Sequence, residues 1–178
     1  MKNFNFAGAA ALETGIKFDN TPWTPWLRTG WNYGSGDNNS NDGDHNTFFQ
    51  MLPTARIYAQ TPFYNMMNNQ DLFVQAIAQP LESLSIRSDV HALFLTTDND
   101  LLYSGAGATK SSVFGYSGSP SNGHSYVGTL LDLNASYTVN KNLTLTSYYG
   151  HLFGGSVPDG SFADKDIDYF FLEALVKI

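Results

Sequence analysis

Ser83-Leu84-Ser85-Ile86-Arg87-Ser88-Asp89-Val90-His91-Ala92-Leu93-Phe94-Leu95-Thr96 is the stretch on which the fold turns. Leu84, Ile86, Val90, Ala92 and Phe94 fall on one side at period two, interrupted by Ser88. Ser83, Ser85, Arg87, Asp89 and His91 fall on the other. Successive side chains of a strand point to opposite faces, so this is a strand with one apolar and one polar face. The same reading extends in both directions. Tyr126 to Val139 sets Val127, Leu131, Leu133, Ala135, Tyr137 and Val139 against Asp132, Asn134, Ser136 and Thr138. Asn142 to Phe153 sets Leu143, Leu145, Tyr149 and Phe153 against Thr144, Thr146, Tyr148 and Gly150. Ile167 to Ile178 aligns Phe170, Leu172, Ala174, Val176 and Ile178, with Glu173 and Lys177 behind them. Upstream, Phe4 to Phe18, Trp26 to Tyr33 and Asp71 to Gln79 alternate too, which gives seven strands, with Phe49 to Gln60 a candidate eighth.

Composition narrows the class. Of 178 residues, 15% are aromatic and only 14% are charged, against roughly 25% charged in an average soluble domain. One domain spanning residues 1–178 fits this length. No run approaches the roughly 18 apolar residues of a membrane helix, but barrel strands put only every second residue in lipid. A net charge of −7 argues against a nucleic-acid partner. Cysteine is absent, which excludes disulfides and thiolate chemistry. The amino-terminal run from Met1 through Ala11 to Glu13 has one Lys and a short apolar core broken by Glu, so it reads as strand rather than export signal.

The connections alternate in length. Short links fall at Asp19-Asn20-Thr21-Pro22, Gln79-Pro80-Leu81-Glu82 and Asn140-Lys141. Long polar ones run from Gly34 to Asp71, Thr97 to Ser125 and Gly154 to Asp166. Short turns on one rim and long loops on the other are the pattern of an all-β, antiparallel transmembrane barrel of bacterial outer membranes, or part of one. Trp23, Trp26, Trp31, Tyr33, Tyr148, Tyr149, Phe153 and Tyr169 lie toward strand ends, where interfacial aromatic girdles are expected.

Several motifs are familiar. Trp23-Thr24-Pro25-Trp26-Leu27-Arg28-Thr29-Gly30-Trp31-Asn32-Tyr33-Gly34-Ser35-Gly36-Asp37, then Asn41-Asp42-Gly43 and Leu52-Pro53-Thr54, resemble the alginate export family. So do Asp89-Val90-His91-Ala92-Leu93-Phe94, Leu131-Asp132-Leu133, Tyr149-Gly150-His151-Leu152-Phe153 and Asp168-Tyr169-Phe170-Phe171. The likeness runs in order over about residues 10–178. It implies an outer-membrane channel, not an enzyme, that passes an anionic polysaccharide or small polar solutes. It also implies the carboxyl-terminal part of a longer barrel, embedded in outer-membrane lipid and inserted by the barrel assembly machinery. Two features depart from the family pattern. The polar faces carry Lys17, Arg28, Arg87 and Lys177 but also Glu13, Asp89, Asp132 and Glu173, a balanced wall where the family's conduit is basic. The last residue is Ile178, where such barrels usually end in an aromatic.

Lys17, Arg28, Arg87, Asp89, His91, Asp132 and Glu173 are therefore expected to line the lumen, with Arg28 and Arg87 placed to tune ion selectivity. An interior ladder of cross-strand ion pairs and hydrogen bonds accounts for the same residues structurally. Ser85, Asp89 and His91 lack the strained turn and oxyanion hole of a hydrolase, and no catalytic residue is assigned. The loop Asp37 to His45 offers Asp37, Asp42 and Asp44 as calcium ligands, although it misses EF-hand spacing. The competing architecture is a soluble lipocalin-like barrel, in which the apolar faces would point inward around a ligand. Seven strands begin and end in the same direction and cannot close an antiparallel barrel. Either Phe49 to Gln60 supplies an eighth strand, or upstream strands complete a larger one, the reading favoured by the resemblance.

Overall fold

A computed structural model of the chain describes residues 6–39, 42–50, 59–62, 64–105, 116–161 and 164–178. The architecture is all-β and antiparallel, with nine strands and one short helix among the described residues. Seven strands form one sheet: β1 (Ala9–Lys17), β2 (Trp26–Gly34), β3 (Asn69–Leu81), β4 (Leu84–Leu95), β7 (Tyr126–Asn140), β8 (Leu143–Gly154) and β9 (Ile167–Val176), each paired antiparallel to its neighbours in that order. A hairpin of β5 (Leu101–Gly105) and β6 (Tyr116–Pro120) is inserted in the connection between β4 and β7. The helix α1 (Ser156–Asp159) precedes β9.

The seven long alternating segments are thus the seven strands of the main sheet. Each obeys period two because its neighbours on both sides fix its pleat, and a one-residue slip would carry every apolar side chain to the polar face. Short turns join β1 to β2, β3 to β4 and β7 to β8 at one rim. The long connections 35–68, 96–125 and 155–166 lie at the other. Phe18 donates its N–H to the Pro25 carbonyl at 2.9 Å and closes the first turn, where Trp23 and Thr24 take positive φ of 66° and 40°.

Two expectations are corrected, the position of the second short link and the face of Val127. Among the described residues the sheet is open, as expected of seven strands that begin and end in the same direction: β1 and β9 are its two edges and no pairing joins them. The candidate eighth strand falls largely on residues 51–58, outside the described residues, while Phe49, Gln50, Ala59 and Gln60 at its ends are not strand. The second short link is the pair Glu82-Ser83, and Pro80 sits inside β3 where the register shifts between Ala78 and Leu81. A residue without an N–H is tolerated at such an irregularity, so Pro80 marks a bulge rather than a turn. Val127, grouped with the exposed apolar residues by its spacing, is buried, because the ladder shifts where Leu93 pairs with Gly128 and Phe94 with Tyr126. One extra residue at a bulge is enough to turn a side chain to the other face.

The apolar face is the bare one. Leu12, Val74 and Leu172 are 72%, 60% and 73% exposed, and Leu72, Val90, Leu133, Phe153 and Phe170 are exposed with them. The opposite face is covered at its long-loop end. Ala59, Tyr64 and Met66 from the β2–β3 connection pack on Leu93, Leu95, Leu130 and Leu152 of the sheet, together with Val127 and with Val157 of α1. The face that is polar at Arg87, Asp89 and His91 becomes apolar at Leu93 and Leu95 because a folded-in connection, not water, meets it there.

Candidate functional site

The inner face is built in transverse rows set by strand register. One row runs Gly15, Arg28, Gln75, Asp89, Asp132, Gly150, Tyr169 across β1, β2, β3, β4, β7, β8 and β9. The next toward the short-turn rim runs Lys17, Trp26, Ile77, Arg87, Asn134, Tyr148, Phe171, and the next toward the loops Glu13, Gly30, Phe73, His91, Leu130, Leu152. Arg28, Arg87, Asp89, His91 and Asp132 are thereby brought together on one face. Lys17 stands at the sheet's edge, its ammonium 2.9 Å from Asp19, and Glu173 lies on β9 opposite Thr146.

Two polar clusters share this face. In the first, Arg28 donates to Gln75 at 2.7 Å, pairs with Glu13 and lies 4.7 Å over the Trp26 ring. Gly15 admits this arrangement, since a Cβ there would stand 2.8 Å from the Arg28 side chain and 3.0 Å from the Trp26 indole nitrogen. In the second, Arg87 donates to Asp89 at 2.6 Å along its own strand. His91 meets both carboxylate oxygens of Asp71 through Nδ1, at 3.0 and 3.1 Å. Asn32 and the Tyr64 hydroxyl donate to the same Asp71, each at 2.9 Å. Asp132 accepts from the Tyr148 hydroxyl and, at 3.1 Å, from the Gln60 N–H. Asp71, Asp89 and His91 are fully buried.

The expected ladder of cross-strand ion pairs and hydrogen bonds is present at Arg28 with Glu13 and Gln75, at His91 with Asp71 and at Tyr148 with Asp132, but is interrupted between β4 and β7. There Asp89 and Asp132, both acids, are register partners, and the cation on Asp89 comes from its own strand. Two aromatics leave the expected girdle. Tyr148 is buried against Asp132, and Trp26 lies on the inner row under Arg28. Nearness to a strand end does not choose the face of a side chain; the pleat does.

Three members of the site escape the sequence reading, Asp71, Gln60 and Tyr64, while Tyr148 lies on the polar face that its alternation assigns. Asp71 carried a usable signal, because it lies in phase with Gln75 at period two. Gln60 and Tyr64 carried none, since a connection folding back onto the sheet leaves no trace in local spacing.

Beyond the rows, Asp100 ties the long connections together. It accepts from the Asp37 N–H at 2.9 Å, the Thr47 hydroxyl at 2.6 Å and the Tyr103 hydroxyl at 2.8 Å. Burial, and then the hydrogen bond to this carboxylate, raise the Tyr103 phenol above its ordinary value. Of the three calcium candidates, Asp37 accepts from the Asn39 N–H at 3.1 Å and Asp42 from the Asp44 N–H at 2.9 Å, each closing a local turn. An apolar pocket of about 140 Å³ lies between this loop layer and the sheet, lined by Tyr64, Met67, Leu93, Leu95, Val127 and Leu152.

A protein-family model described as alginate export matches residues 2–159. No curated protein matches the chain.

Proposed function

This chain belongs to the alginate export family, and on that premise we propose that its seven-stranded sheet is part of the wall of an outer-membrane channel that passes an anionic polysaccharide. The observation that carries this reading is the polarity of the two faces. Leu12, Val74 and Leu172 stand bare on one face while Asp71, Asp89 and His91 are buried on the other. A soluble lipocalin-like domain would enclose the apolar face, whereas a membrane wall presents it to lipid and turns the polar face to the lumen.

The interior chemistry refines the cargo. Arg28 is paired with Glu13 and Arg87 with Asp89, so the wall offers neutralised pairs and hydrogen-bonding Gln75, Asn134 and tyrosine hydroxyls more than a file of open cations. Such a wall suits a hydroxyl-rich chain, and small polar solutes are the second reading that this balance favours. In a barrel, Ala59, Tyr64 and Met66 lie on the lumen side and narrow the path.

Single-channel recording in planar bilayers tests the proposal. Purified protein should give ion conductance that polyuronate oligomers interrupt reversibly, with neutral glucans of equal length interrupting it less. Equal block by both polymers would replace the anionic cargo by polar solutes generally. A protein that stays monodisperse without detergent and conducts nothing would end the membrane reading.

A further inference from the structure

Four buried side-chain atoms have no hydrogen-bond partner among the described residues, and two of them, Oδ1 of Asp89 and Nε2 of His91, lie on neighbouring inward positions of β4. Both residues are fully buried. A polar atom stripped of water without a partner is costly, and a carboxylate oxygen beside an imidazole nitrogen is costly twice. Asp132 faces them in register from β7, and one ligand atom from each of Asp89, His91 and Asp132 lies within 4.8 Å of the others. Around one ion with bonds of about 2.1 Å, tetrahedral ligand atoms stand about 3.4 Å apart, so side-chain rotations that move these atoms by about an ångström close the set.

We propose that Asp89, His91 and Asp132 bind a divalent first-row transition metal ion, of the Zn²⁺ or Mn²⁺ class. One imidazole nitrogen with two carboxylate oxygens departs from the all-oxygen cages of Ca²⁺ and Mg²⁺, and no thiolate is present to select a softer ion. The outer contacts are those a metal centre requires. Asp71 accepts from Nδ1 of His91 at 3.0 Å, which fixes the tautomer whose Nε2 lone pair points at the two carboxylates. Tyr148 and the Gln60 N–H orient Asp132, and Arg87 orients Asp89 through Oδ2, leaving Oδ1 for the ion. The rings of Phe73 and Tyr64, centred 5.8 and 6.2 Å from that of His91, hold the imidazole in place. Charge points the same way. Two acids directly opposite one another weaken a strand pair, and a dication between them reverses that repulsion. The rival occupant of the space is a proton on Nε2 of His91, whose separation of 4.0 Å from Asp89 Oδ2 is too long for a hydrogen bond.

The test uses the full chain, folded in detergent and stripped with chelator. Titrating Mn²⁺ while following its electron-paramagnetic-resonance signal should show one ion bound per chain, displaced by Zn²⁺. His91→Gln and Asp132→Asn should each weaken Mn²⁺ at least tenfold, while His45→Gln and His151→Gln, at the two other His–Asp pairs, leave it unchanged. Zinc-edge X-ray absorption on the unsubstituted protein should show histidine scattering in a nitrogen and oxygen shell, a readout that needs no variant to fold. Absence of stoichiometric binding, survival of full affinity in folded His91→Gln, or loss of binding in His45→Gln or His151→Gln would each overturn the assignment, the first in favour of the proton.

Discussion

Asp89 and Asp132 stand opposite each other in register on β4 and β7, both buried, and the Arg87 guanidinium reaches Asp89 along its own strand. Breaking a buried pair by removing one partner strands the other charge, at about 3–5 kcal/mol. Arg87→Met is therefore expected to lower stability by about 3 kcal/mol, the low end because Arg87 is not fully enclosed. Arg87→Met with Asp89→Asn should recover more than half of that loss. Guanidinium unfolding from lipid vesicles measures both, and strictly additive losses would show that the pair is not coupled.

The bare apolar face gives the sharpest separation of membrane wall from soluble sheet. Val74 lies mid-strand in β3 and is 60% exposed. Val74→Arg costs roughly 2–4 kcal/mol near a bilayer midplane and about 0.5 kcal/mol or less on a watered surface. Folding titrations in lipid distinguish the two values.

Selectivity should respond to Arg28 more cleanly than to Arg87, since Arg28 is removed from the Asp89 and Asp132 pair. Arg28→Gln leaves Glu13 without its cation, so the reversal potential under a salt gradient should move toward cation preference. An unmoved potential would make Arg28 a brace between β1 and β3 and nothing more.

In the loop layer the readout is alkaline pH. Burial and the hydrogen bond to Asp100 raise the Tyr103 phenol. A group whose pKa rises on folding stabilises the fold fully below its unfolded value, about 10 for a phenol, and loses that contribution as pH climbs through the folded value. The phenolate absorbance of Tyr103, taken as the difference from Tyr103→Phe, should therefore appear later than that of exposed tyrosines. Asp100→Asn should bring it earlier and loosen the contact to Asp37 and Thr47. Ionisation of Tyr103 together with the exposed tyrosines would refute the hydrogen bond.

What could be read from the sequence follows the reach of each signal. Period two is local, so β4, β7, β8 and the upstream strands were legible from runs such as Leu84, Ile86, Val90 and Ala92. The Val127 bulge was not, because it is defined by the partner strand's register at Phe94 and Tyr126. The β5–β6 hairpin was hidden in a connection read as loop, where strands of five residues rise little above turn-rich background. At the site, Arg87, Asp89, His91 and Asp132 were legible as one face. Of the partners that orient them, Gln60 and Tyr64 come from a fold-back between β2 and β3 that only tertiary contact defines, while Asp71 lies on β3 in phase with Gln75.

The two edges of the sheet carry a consequence for self-assembly. Copies of the chain inserted the same way into one membrane are related by rotation about the bilayer normal, which preserves strand polarity. Counted through an odd number of antiparallel neighbours, β1 and β9 point the same way. Every seam between such copies would then be a parallel ladder, slightly less stable per residue than the antiparallel pairs within each copy. An antiparallel seam would need one copy inverted, with its long loops on the wrong side of the membrane. Closing an antiparallel barrel on this sheet would take an odd number of strands beyond these seven, which copies of the sheet inserted the same way and joined edge to edge would not supply in antiparallel order.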